Sequence, residues 1–176
     1  MRLLGILFMS IALTGMGFFL AERRKERLQI LIQLRQMIHY LKSQILYSNA
    51  ALPDAVCEVG EHFENLEIGW SPASFFLNVG RLLEEKKEQP FSAIWQSAAE
   101  GIPLGVALSK SDRESLGSLG GKLGYADRKM QERTLLFYQE QLDETIKEVK
   151  EEVVNLGKLY RTLGVAAGIF WFVLFI

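Results

Sequence analysis

Residues 127–176 read DRKMQERTLLFYQEQLDETIKEVKEEVVNLGKLYRTLGVAAGIFWFVLFI, and this stretch decides the fold. Leu135, Tyr138, Leu142, Ile146, Val149, Val153, Leu156, Tyr160 and Leu163 recur every three or four residues, which puts them in one stripe on a helix. No proline interrupts the run. From Thr162 to Ile176 the polar face disappears and no charge remains. A stripe that turns apolar all round describes a helix passing from water into lipid. The expectation is a rod that packs in water along residues 127–161 and enters a membrane along 162–176.

The other end of the chain has the same character. Leu3 to Ala21, LLGILFMSIALTGMGFFLA, carries no charge and would span roughly 28 Å as a helix, close to the thickness of a hydrocarbon core. A cleaved export signal is the competing reading. It fails on charge, because Arg23, Arg24, Lys25 and Arg27 follow the apolar stretch while only Arg2 precedes it. The carboxyl-terminal segment is shorter, about 22 Å. Lys158 and Arg161 can snorkel to the interface there, with Tyr160 at headgroup level. Gly164 and Gly168, spaced as G-x-x-x-G, offer a flat patch for another helix in the membrane. Basic residues crowd the inner side of both segments, so the middle is expected in the cytoplasm. The chain thus divides into a membrane helix at 1–21, a cytoplasmic helical bundle at 22–161 and a second membrane helix at 162–176.

The middle is polar where the ends are not. The 176 residues are 49% hydrophobic and 23% charged, with a net charge of −1. That balance excludes a generally basic nucleic-acid binder. Cys57 is the single cysteine, so no intrachain disulfide can form, and it reads as small core filling. Leu28, Leu31, Leu34, Ile38, Leu41 and Ile45 make a stripe on the first helix that matches the one on the last, and the two are expected to pair antiparallel. His39 reads as a surface or core residue, and His62 lacks the partners a metal site requires.

Four shorter helices fill the interval. Pro53 biases Leu52 towards extended geometry and opens the second helix, with Asp54 favourable to its dipole; Leu52, Val56, Val59 and Phe63 should be buried, and the helix should end near Leu66. Ser71 is the expected cap of the third helix with Pro72 in its first position, and Phe75, Phe76, Val79, Leu82 and Leu83 its core face. Phe91, Ile94, Trp95 and Ala98 form a fourth. Ser111 with Glu114 is read as a capping box for the fifth, which carries Leu116, Leu119 and Leu123. Gly117, Gly120, Gly121 and Gly124 interleave them. A phosphate loop is excluded, because Leu116 stands where its first glycine belongs and Leu123 where its Ser or Thr belongs. Close helix packing is the remaining reading. Asp127 caps the sixth helix. The fold class expected is therefore all-α, a six-helix bundle whose long first and last helices extend into the membrane.

With these elements in order, the chain resembles a known family. The basic helix after the first apolar segment, Ala51-Leu52-Pro53-Asp54-Ala55-Val56, Leu123-Gly124-Tyr125-Ala126-Asp127 with Gln131, and the terminal Lys158-Leu159-Tyr160-Arg161-Thr162-Leu163-Gly164-Val165 look like the stage III sporulation protein AB family. The resemblance implies a relative of the platform protein of type II secretion systems, with its F-type helical domain. It implies a non-enzymatic platform in the mother-cell membrane facing the forespore. A cytosolic AA-type sporulation ATPase and other membrane-ring components of one complex are the partners it implies. Having one such domain where the secretion protein has two, the chain could form a homo-oligomer. No cofactor or metal is expected, since no carboxylate–histidine pair, phosphate loop or ligand spacing is present. A membrane scaffold or signalling coiled coil that dimerises through the terminal helices is the alternative, and a small membrane enzyme a third class. Two places could dock a partner: the basic collar Arg23, Arg24, Lys25 and Arg27, and the loops around Pro53, Asp54 and Pro103, which are favoured.

Overall fold

The computed structural model describes the backbone of residues 2–48, 50–64 and 70–175, and the side chains of 22–48, 50–64 and 70–156. Six helices follow one another: α1 (Arg2–Tyr47), α2 (Leu52–Phe63), α3 (Pro72–Glu85), α4 (Phe91–Glu100), α5 (Lys110–Gly124) and α6 (Arg128–Phe175). No strand occurs among the described residues. The all-α class and the order of helices are those the periodicity predicts. No helix among the described residues is long and apolar enough to cross a membrane. The two segments expected to do so, 1–21 and 162–176 with Gly164 and Gly168, lie outside the residues whose side chains are described.

The chain forms two units, one of residues 29–145 and one of 1–28 with 146–176. Among the described residues, the first holds almost all of the buried apolar side chains. Leu31, Leu34, Ile38, Leu41 and Ile45 of α1 are buried, as the stripe requires, and Ile30 and Met37 join them. Leu135, Tyr138 and Leu142 supply the α6 side. Arg35 pairs with Asp143 across the two helices. In the other unit Arg24 pairs with Glu152, so in each unit α1 and α6 are linked side by side. Both pairs are half-exposed, which limits each to less than about 1 kcal/mol, and the apolar stripe does most of the holding.

Around Trp95 of α4 the helices α3, α4 and α5 meet. Its ring lies edge-on to Phe75 and Phe76 of α3, with centroids 4.9 and 5.7 Å away, and 5.6 Å from Phe91. Its indole N–H donates to the Leu116 carbonyl of α5 at 2.7 Å, so its polar atom is satisfied inside the core. Gly120 lets α5 approach: a Cβ there would lie 2.2 Å from Trp95 Cγ. The same device serves α2 and α3. A Cβ at Gly80 would sit 2.9 Å from Cys57 Sγ, and one at Gly60 2.9 Å from Leu77 N. Cys57 therefore fills space against a glycine.

Several local expectations need correction. Ser111 does not cap α5; it is exposed and lies within the helix. The cap is Ser109, whose Oγ accepts from Asp112 N at 3.1 Å while Ser109 N donates to Asp112 Oδ2 at 2.8 Å. Two Ser-x-x-acid boxes overlap in Ser109-Lys110-Ser111-Asp112-Arg113-Glu114. The earlier one is used, and Arg113 in the first turn that follows donates to carbonyls of the preceding loop. Ser71 holds the N-cap position of α3, but its side chain makes no capping bond. The extended residue before α2 is Ala51 (ψ 150°) rather than Leu52, which already belongs to the helix. Leu52, Phe63 and Leu83 are half-buried, and Ala55, Gly60, Ala73 and Ala99 take core positions instead. α2 runs to Phe63, and Leu66 lies outside the described residues. Asp127 Oδ1 accepts from Met130 N at 2.8 Å at the start of α6.

Candidate docking surface

Between α4 and α5 the chain makes a loop whose shape follows from its sequence. Ile102, Val106 and Ala107 are buried and anchor it to the core. Between them Pro103, Leu104 and Gly105 have nowhere to go but outwards. Val106 N donates to the Pro103 carbonyl at 3.1 Å and closes the turn. The guanidinium of Arg113 then donates to four carbonyls: Ile102 at 2.7 Å, Pro103 at 2.9 Å, Val106 at 3.2 Å and Leu108 at 3.4 Å. Carbonyls bonded to a cation in a partly buried setting are held more firmly than by neutral donors. The loop is thus rigid, and it displays Leu104 with 91% of its surface exposed. An apolar side chain presented from a braced turn is suited to entering a pocket on another protein.

Pro53 and Asp54 lie exposed in the first turn of α2, with Asp54 favourably placed at the positive end of the helix. They and Pro103 belong to the unit of residues 29–145. The basic collar belongs to the other unit. Its cations are already engaged: Arg24 with Glu152, Lys25 with Glu22 at 3.2 Å, and Arg23 and Arg27 in further interactions. A collar whose charges are satisfied within the chain has less to offer an acidic partner than a braced apolar turn does.

Leu104 and Arg113 escape a reading by motif, yet both leave a signal. Leucine between Pro and Gly cannot be core, since those neighbours make a surface turn. Arginine in the first turn of a helix opposes the dipole and needs another reason to be there.

The concave features have no catalytic set. A groove of about 200 Å³ between α5 and α6 is lined by Leu119, Lys122, Arg133, Phe137 and Tyr138 among others, with two cations and no carboxylate. A second hollow of about 130 Å³ between α1, α5 and α6 contains Asp112, which is already spent in the α5 cap. Burial pushes the Tyr138 phenol well above its ordinary range, with the Asp112 charge adding to the effect and a Ser115 hydrogen bond opposing it. Burial, then the Glu84, Glu61 and Asp54 charges, push the Cys57 thiol up as well, which suppresses the thiolate. Among the described residues no three His, Cys, Asp or Glu side chains could share a metal.

With the bundle and its displayed turn described, similarity can be weighed. The family pattern of stage III sporulation protein AB matches residues 2–176. The chain belongs to the stage III sporulation protein AB family. Within the family it is 24% identical to the stage III sporulation protein AB of Bacillus subtilis (strain 168) over 169 residues, which cover 96% of this chain and 95% of that protein. No solved structure matches it. As a member of this family it is a sporulation protein built as a helical bundle.

Proposed function

We propose that the chain is a non-enzymatic platform of the spore-forming cell. The apolar ends, 1–21 and 162–176, anchor it in the mother-cell membrane facing the forespore, and the bundle between them docks a cytosolic AA-type ATPase. The other members of a membrane ring in a secretion-like complex assemble around it. The bundle corresponds to one F-type helical domain.

The observation that carries this reading is the braced turn. A bundle whose only role was to space two anchors would not need Arg113 to lock an exposed leucine outwards. Helices α1 and α6 run on into the apolar ends without a break.

The full chain solubilised from sporulating cells should co-purify with the ATPase. Leu104→Glu and Asp54→Lys should abolish that capture while leaving the thermal melt of the bundle unchanged. Undiminished capture by both variants, or no ATPase with the wild-type chain, rejects the docking role.

A further inference from the structure

The row of short helices has two unlike ends. α2 packs on α3, α3 on α4 and α4 on α5, so α2 and α5 close the row at its two ends. Each end shows charge of one sign. On α2, Asp54, Glu58 and Glu61 are exposed and, at 100° per residue, share one arc of about 60°. The buried Ala55, Val56, Val59 and Gly60 lie behind them. At the other end the groove between α5 and α6 offers Lys122 and Arg133, with the hydroxyls of Ser118 and Thr134 and no carboxylate.

Neither set is neutralised within the chain. Asp54, Glu58 and Glu61 stand four and three residues apart and repel one another. Among the described residues, none of Asp54, Glu58, Glu61, Lys122 and Arg133 is in an ion pair. The two sets also stand at one height along the bundle. α1 and α6 run antiparallel, with Arg35 paired to Asp143. Five residues on from Arg35, Tyr40 is therefore level with Tyr138, five residues back from Asp143. The Tyr40 ring stacks on His62 and its Oη lies 3.5 Å from Glu58 Oε1, while Tyr138 lines the groove. Glu58 at one end of the row is thus level with the groove at the other.

We infer that α2 of one copy of this chain enters the α5–α6 groove of a second copy, with Glu58 and Glu61 meeting Lys122 and Arg133. The contact is heterologous: each copy gives its acidic end to one neighbour and its basic end to the next. Opposite charges select the partner surface and set the register. Phe137, 55% exposed at the groove, is covered by the incoming helix, which keeps water from the charges around it. Because the two ends are level, neighbours are related by rotation about a line parallel to the helices. α6 then points the same way in every copy, so the apolar ends of all copies reach one bilayer, as the proposed anchoring requires.

The test uses the full chain in mild detergent, with Cys57→Ala to remove the native thiol. Glu58→Cys should crosslink through a short bismaleimide to Arg133→Cys on a differently tagged copy. Neither position should crosslink to itself, because in a head-to-tail contact each faces the other. A product joining 58 to 58 or 133 to 133 shows a two-fold contact and overturns the proposal, as does the lack of a product joining 58 to 133. Independently, Glu58→Lys and Arg133→Glu should each weaken self-association roughly tenfold, since an attracting pair becomes a repelling one. The two changes in one chain should restore it. A combined variant no better than either single one overturns the pairing. Self-association is read without the ATPase and with Asp54 and Leu104 unchanged. Its failure therefore leaves the docking role standing, and failure of that role leaves this contact standing.

Discussion

Gly120 and Gly121 are neighbours in sequence with opposite surroundings. A methyl at 120 would enter the Trp95 ring, whereas one at 121 would meet nothing within 4 Å. Gly120→Ala should therefore destabilise the bundle by about 1–3 kcal/mol through overpacking. Gly121→Ala should stabilise it by about 0.5–1 kcal/mol, because alanine loses less entropy in a helix. Denaturant midpoints of the two variants should move in opposite directions; movement in the same direction contradicts the packing described. Composition alone could say that the glycines of α5 serve close approach. Which of Gly117, Gly120, Gly121 and Gly124 does so depends on where Trp95 and Gln96 of α4 arrive, and that information is not local. Leu104 is the reverse case: its exposure was readable from Pro103 and Gly105, but its bracing rests on Arg113, ten residues from Pro103.

At the scale of elements the periodic signal carried far. The stripes of α1 and α6, the aromatic face of α3 and the leucines of α5 each reflect a burial pattern that repeats every turn, so errors at single residues average out. Helix ends have no such redundancy. The two overlapping boxes before α5 are chemically almost equivalent, so the sequence alone could not choose Ser109 over Ser111. The consequence is measurable. Ser109→Ala should cost about 1 kcal/mol, the usual worth of an N-cap. Ser111→Ala, at an exposed helical position, should stay within about 0.5 kcal/mol. Thermal melts of the two variants compare them directly, and equal losses would contradict the assigned cap.

Among the residues whose side chains are described, nearly every core residue lies between Ile30 and Leu142, with Val149 beyond. A fragment of residues 29–145 should therefore fold alone, with a helical spectrum and a single cooperative melt. A fragment that is helical yet melts without cooperativity would show that the core needs the rest of α1 and α6. The class of fold and the order of six helices were legible because each helix must bury one face, and that face recurs every three or four residues along the sequence. The displayed turn at Pro103, Leu104 and Gly105 was less legible, since display depends on what braces it. Trp95 brings a practical consequence of its enclosure by Phe75, Phe76 and Phe91. An indole shielded so fully from water emits at short wavelength, and its emission moves to the red when solvent reaches it. Because three short helices converge on that ring, its colour in a chain with Trp70 and Trp171 replaced by phenylalanine reports whether the packet is assembled, without any attached dye.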